Sequence, residues 1–334
     1  MKIKRILLAS LASLFFFPGL LRAEKVYTIY PVPQEQVAVE GVASFTAKVN
    51  VVCESGIDDV TRKRVQGIFS EKKIEVSFSE QKDASCSNVY LGVNQSGDLV
   101  DQLATDLDLA RDVFSLSNKY DNHLLYLYNE GNNVAQIIIL GDDTDAVFYG
   151  LASLEQMIDK GTENLPCVKI FDYADQQSRG LVEGYYGYPY TITVKKDLMK
   201  FMMRHKMNTY MYGVKGDPYH SEHWTAPYPT SITAEQEKNG WLTQDMIKDL
   251  TQTAQDTKVN FVWAIHPGNS FTNSSTVIND IMGKFDKMYQ LGVRQFAVFV
   301  DDVSVPEDAA THTLNANRVT QLQQALENKY NKAG

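Results

Sequence analysis

Two adjacent carboxylates close an apolar run. In "FAVFVDDVSVP", Phe296 to Pro306, four of the first five residues are large and apolar, and Asp301 and Asp302 follow directly. Two carboxylates held close together push their pKa values apart, so one can act as an acid while the other stays ionised. That division of labour suits hydrolysis of a glycosidic bond. An Asp-Asp pair taken alone is usually a turn or a helix cap, and its context has to decide. Adjacent strand residues point to opposite faces, so both acids can serve one ligand only if the alternation fails where the strand ends.

The context is a repeat. After Gly180 four apolar runs appear, "GLVEGYYG", "NTYMYG", "NFVWAIHP" and "QFAVFVDDV", each followed by a stretch with helical periodicity. The predicted inner faces are Val194, Leu198, Phe201 and Met202; Met246, Leu250 and Ala254; Val277, Ile281, Phe285 and Met288, with Gly292 as C-cap; and Val319, Leu322 and Leu326. Continuous apolar runs alternating with amphipathic helices predict parallel β/α units. In a β/α barrel function lies where the strands end. Those four ends hold Glu183, Gly184, Tyr185, Tyr186 and Gly187; then Tyr212, Gly213, Lys215, Asp217, Tyr219 and His220; then Trp263, His266, Pro267 and Gly268; then Asp301 and Asp302. Tyrosine and tryptophan offer faces on which sugar rings stack, and carboxylates bind hydroxyls and amides. A long loop after the second run carries His220, His223, Trp224, Tyr228 and Trp241 onto the same end.

Residues 24–170 read as a separate small α+β domain. "VYLGV", "HLLYLYN" and "AQIIILG" are strand-like, "ASFTAKVNVVC" alternates, and Val147, Leu151, Leu154 and Ile158 mark a helix. Residues 171–179 read as a polar connector, and 180–334 as the first four units of a (β/α)8 TIM-type barrel. Residues 1–23, with Lys2, Lys4 and Arg5 before an apolar run, read as a signal peptide. The expected location is therefore secreted or periplasmic, with no membrane attachment after cleavage. The net charge of −9, from 32 basic and 41 acidic residues, argues against nucleic acid or an anionic membrane as partner. Cys53, Cys86 and Cys167 have no zinc spacing and read as small buried residues, although Cys53 and Cys86 could pair. No HxH or HExxH spacing supports a metal; neither metal nor cofactor is expected.

The blocks "RGLVEGYYG", "NTYMYGVKGDPYH", "FVWAIHPG" and "KFDKMYQLGVRQFAVFVDDV", in this order, resemble glycoside hydrolase family 84, the β-N-acetylglucosaminidases that include O-GlcNAcases and bacterial hyaluronidase-like enzymes. The N-terminal unit is similar in pattern to the small hexosaminidase-associated domain that precedes the barrel in such bacterial enzymes. The resemblance implies a retaining exo-β-N-acetylglucosaminidase acting on glycans or glycoproteins with terminal N-acetylglucosamine. In its substrate-assisted mechanism the 2-acetamido oxygen is the nucleophile and an oxazoline forms. It implies that Asp301 polarises the acetamido N–H and that Asp302 is general acid, then base, with a pKa raised by Asp301 and burial. It also implies that Lys215 binds sugar hydroxyls, that the Gly184 carbonyl meets the sugar and that Tyr186 lies by the acetamide pocket. The family places further pocket residues after the fourth strand, so an inactive fragment is one alternative expectation and a non-catalytic carbohydrate-binding relative is another.

Overall fold

The computed structural model describes residues 26–330, so the predicted signal peptide lies outside the described residues. The described residues are mixed α/β, with two sheets. The first part runs β1 (Glu35–Ala43), β2 (Lys48–Cys53), α1 (Asp59–Glu71), β3 (Glu75–Ser79), β4 (Ser87–Val93), α2 (Leu99–Asp106), β5 (Tyr120–Tyr128), β6 (Gln136–Gly141), α3 (Thr144–Met157) and β7 (Leu165–Ala174). Its seven strands are ordered β1-β7-β5-β6-β4-β2-β3. The pairs on the β1 side are antiparallel, and those from β6 to β3 are parallel.

Both faces of this sheet are covered, which explains the unbroken apolar run of β6. Ile137 and Ile139 pack with Val147, Leu151 and Leu154 of α3 on one face. Ile138 and Leu140 pack with Val100 and Ala104 of α2 on the other. The aspartates before α1 and α3 work as N-caps: Asp58 accepts from the Thr61 amide and Asp143 from the Ala146 amide, both at 2.8 Å. The predicted connector begins later than its polarity suggested. Phe171 to Ala174 continue β7, because Phe171 pairs with Leu124 and Ala174 with Tyr120 of β5. "ASFTAKVNVVC" is likewise split, since β1 ends at Ala43 and β2 begins at Lys48. All three cysteines are free thiols.

The second part runs β8 (Gly180–Glu183), α4 (Ile192–Arg204), β9 (Thr209–Tyr212), α5 (Ala234–Lys238), α6 (Gln244–Asp256), β10 (Asn260–Ile265), α7 (Ser270–Asn273), α8 (Val277–Gln290), β11 (Gln295–Val298) and α9 (Ala309–Tyr330). Strands β8 to β11 are all parallel and lie in consecutive order. Leu181, Tyr210, Phe261 and Trp263 belong to the face that packs with α4, α6 and α8. The first two strands lie almost in contact at Gly180, where a Cβ would fall 1.7 Å from the Thr209 carbonyl oxygen.

Two of the predicted helix faces need correction. In α4 the buried residues are Lys195, Met199 and Met202, whereas Val194 and Phe201 are exposed. The inner stripe is real, but a buried lysine occupies one of its positions, and apolar periodicity cannot register a lysine. In α9 Leu322 is buried and Leu326 half-buried, but Val319 is exposed. The faces of α6 and α8 hold, and Gly292 takes φ +99° directly after the Leu291 C-cap.

Side chains cross between the two parts. Lys206 is buried and donates to Asp172 (2.5 Å) and to Ser153 Oγ (2.8 Å). Arg64 of α1 donates to the carbonyls of Phe148 (2.6 Å) and Met203 (3.2 Å). Lys258, between α6 and β10, pairs with Asp58 at 2.6 Å.

Candidate functional site

The four strand ends meet at one place. Tyr186 follows β8, Lys215 follows β9, His266 follows β10 and lies 3.6 Å from Asp301, and Asp301 and Asp302 follow β11. Lys215 Nζ lies 2.6 Å from a carboxylate oxygen of Asp301 and 2.6 Å from one of Asp302. It also donates to the Tyr186 hydroxyl at 3.0 Å and sits 4.5 Å from the centre of that ring. The Tyr186 hydroxyl donates in turn to Asp302 Oδ2. The strand alternation is broken as the adjacent acids require: Asp302 has φ +53°, a left-handed conformation uncommon for a non-glycine residue.

Gly184 lies beside this cluster. A Cβ there would meet Val182 at 3.1 Å and the Phe299 ring at 3.5 Å, yet its φ is not positive. The turn glycine of "EGYYG" is Gly187, at φ +112°. Phe299, which the motif reading passed over, packs against Gly184 and Gly213. Its ring presses on Gly213, where a Cβ would fall 2.4 Å from a ring carbon, so that position has room for no side chain. The only signal for it was the phenylalanine's place two residues before the acids.

Electrostatics depart from expectation at Asp302. Its side chain is 60 % exposed. The Lys215 hydrogen bond, then that of Tyr186, hold its pKa below the usual aspartate value. Lys215 also lowers Asp301, against a smaller opposing effect of burial. The predicted upward shift of Asp302 needed burial and an unneutralised neighbour, and neither is present here. For Lys215 burial works downward, but its hydrogen bonds to Asp301 and Asp302 outweigh that and raise its pKa. Both ion pairs are therefore intact at neutral pH and are lost as pH falls through the lowered carboxylate pKa values. Lys215→Met is expected to move the Asp302 titration upward, towards the ordinary aspartate range, in carboxyl 13C NMR. An unmoved titration would mean that Lys215 is not the cause.

Several predicted aromatic and charged residues are structural. Asp217 is fully buried. It accepts from the hydroxyls of Tyr212 and Tyr228 at 2.6 Å each and from the Tyr219 amide at 2.9 Å. Trp263 donates to the Tyr228 hydroxyl at 3.1 Å. The loop after β9 thus turns Tyr228 and His220 into the protein instead of offering them to a ligand. Beneath it Lys284 is buried against the rings of Tyr228 and Trp263 and donates to the Ala226 carbonyl at 2.6 Å. Burial pushes its pKa down to about 7. Glu183, at the end of β8, is buried with Lys195, 3.3 Å away, and accepts from the Tyr210 hydroxyl and the Tyr190 amide.

Comparisons with known proteins cover both parts of the chain. The family model described as beta-N-acetylglucosaminidase matches residues 179–334, and that for domain 2 of glycosyl hydrolase family 20 matches residues 26–173. The chain superposes on the solved structure of CpGH84D with a TM-score of 0.73 and 34% identity, covering 90% of this chain and 48% of that one. For the structure of CpGH84B the TM-score is 0.65, the identity 26% and the coverage 88% and 47%. Protein O-GlcNAcase of Rattus norvegicus is 31% identical over 125 residues, 37% of this chain and 12% of that protein; the Mus musculus protein gives the same figures. The chain is similar in sequence and fold to members of glycoside hydrolase family 84. It spans about half the length of the solved relatives and about an eighth of the mammalian ones.

Proposed function

We propose that the protein is a retaining exo-β-N-acetylglucosaminidase that removes terminal β-linked N-acetylglucosamine from glycans or glycoproteins by substrate-assisted catalysis. One observation carries this reading: Asp301 and Asp302, adjacent in sequence, bring their carboxylates to the same Lys215 ammonium, both at 2.6 Å. Two carboxylates on one side of a strand end can serve one sugar in two roles. Asp301 accepts the acetamido N–H and so makes the acetamide oxygen a better nucleophile towards the anomeric carbon. Asp302 gives a proton to the departing glycosidic oxygen, then takes one from the water that opens the oxazoline. No enzyme nucleophile is needed.

An acid must be protonated when it acts, and in the free protein Lys215 opposes that. Sugar hydroxyls in the pocket offer the Lys215 ammonium other acceptors. Drawing it from Asp302 removes the largest cause of that residue's low pKa. A sugar seated against the acids also displaces water and favours the neutral acid. Tyr186 and Gly184 are assigned to the acetamide side and to the sugar through the Gly184 carbonyl.

The architecture in this reading is a small α/β domain at 24–170, a connector within 171–179 and, at 180–334, the first four β/α units of a (β/α)8 barrel. A basic, then apolar, segment at 1–23 supports export, so the substrates would be extracellular or periplasmic glycoconjugates. The test is hydrolysis of a fluorogenic β-N-acetylglucosaminide, by this chain and by the longest natural protein that contains it, with the product anomer read by NMR. Release of the β-anomer first supports the reading. Absence of hydrolysis by a folded full-length protein rejects it.

A second reading has its own observation. Both aspartates are more than half exposed, at 58 % and 60 %, and paired to a cation, as suits a carbohydrate-binding site that does not cut. Calorimetric binding of N-acetylglucosamine without turnover would select it.

A further inference from the structure

The proposed polariser and acid are neighbours in sequence, so the peptide unit between them decides whether their side chains meet. In a continuing strand they would point to opposite faces. The left-handed Asp302 turns the second carboxylate back towards the first. A non-glycine residue keeps that conformation only where its surroundings impose it.

The restraint comes from β10 and the loop that follows it. The Phe299 amide donates to the Ile265 carbonyl at 2.8 Å, and the Ser304 amide donates to Asn269 Oδ1 at 2.8 Å. Between these ties, His266 Nε2–H donates at 2.9 Å to the Asp301 carbonyl, the oxygen of the peptide that joins the two acids. A carbonyl only accepts, so Nε2 carries the proton whether the ring is neutral or charged. His266 is itself fixed, because its amide donates to the His220 carbonyl at 2.9 Å and its side chain is only 11 % exposed. The same Nε2 lies 3.6 Å from Asp301 Oδ1, so the ring also faces the carboxylate it helps to place.

We propose that His266 is a positioning residue: its hydrogen bond to the Asp301 carbonyl holds the left-handed turn at which the Asp301 and Asp302 carboxylates converge. This rests on the reading of those residues as polariser and acid. His266 contacts no sugar in that reading, so its loss falls on kcat rather than on KM. A shift of about 1 Å in reacting groups costs on the order of 100-fold in rate.

His266→Leu removes the donor at similar bulk, and His266→Gln places an amide N–H near the Nε2 position. With the longest natural protein containing this chain, the expected result is a loss of kcat of about 10- to 100-fold for the leucine variant with KM little changed. The glutamine variant should recover most of the loss. Melting curves establish folding, and if the leucine variant does not fold, His266→Asn, whose amide is too short to reach the carbonyl, takes its place. Wild-type kcat in a folded donorless variant overturns the proposal, as does a folded glutamine variant no better than the donorless one. Carboxyl 13C NMR separates this from failure of the glycosidase reading, because it needs no turnover. Without the donor Asp302 should leave Lys215 and titrate at higher pH, and an unmoved Asp302 titration rejects the positioning role even if wild type proves inactive.

Discussion

Asp302→Asn is expected to lower kcat for an N-acetylglucosaminide with an alcohol leaving group by about 10²–10⁴-fold, the usual worth of a placed general acid. Asparagine keeps the size and much of the hydrogen bonding of aspartate but carries no transferable proton. The loss should shrink as the leaving group becomes more acidic, since a phenolate with a low conjugate-acid pKa departs without help. Asp301→Asn should behave differently. Its loss concerns attack by the acetamide oxygen, so it should persist across the same series of leaving groups. Steady-state kinetics of both variants against phenyl glycosides of graded acidity checks the assignment. If the two series are interchanged, the roles are reversed. If Asp302→Asn leaves kcat unchanged on a poor leaving group, the acid lies elsewhere.

Much of what positions these residues was legible in the sequence, because burial on both faces leaves an unmistakable pattern. The run "AQIIILG" is apolar at every central position since Ile137 and Ile139 face one layer and Ile138 and Leu140 the other. The four runs after Gly180 were readable from their apolar residues and the helical periods between them, and their consecutive parallel order follows from the intervening helices. Convergence of Tyr186, Lys215, Asp301 and Asp302 was also inferable, since topology alone puts the ends of parallel strands together.

What sequence could not yield were charges and backbone atoms. The α4 face was misassigned because Lys195 is buried against a carboxylate from β8, a pairing across sequence that no local period encodes. The lowered pKa of Asp302 depends on where the Lys215 ammonium settles, which is a matter of a few ångströms. The contribution of His266 runs through a main-chain carbonyl, and a carbonyl has no identity in a sequence. The tyrosines of the loop after β9 seemed to offer sugar platforms. Tyr228 instead spends its hydroxyl on the buried Asp217, and that partner could be found only in three dimensions.

Lys195→Met is expected to destabilise the fold by about 3–5 kcal/mol, the cost of breaking a buried ion pair from one side. Lys195 and Glu183 are both essentially inaccessible, with side chains 0% and 1% exposed, and they tie α4 to the end of β8 directly below Gly184. The ammonium also donates to the Tyr190 carbonyl and lies 5.0 Å from the centre of the Tyr212 ring. Burial pushes the pKa of Lys195 down, against the Glu183 charge that raises it. Methionine fills much of the volume and supplies no charge, leaving the carboxylate with only the Tyr190 amide and the Tyr185 and Tyr210 hydroxyls. Adding Glu183→Gln should restore part of the loss, because a neutral amide is cheaper to bury than an unpaired carboxylate. Urea unfolding of the two single variants and the double variant forms the cycle that measures this, with coupling expected at about 0.5–3 kcal/mol as for residues in contact. Additive losses would mean that the pair does not act as a unit. A single variant as stable as wild type would mean that water or a neighbour replaces the lysine, and β8 would then owe its place to packing alone.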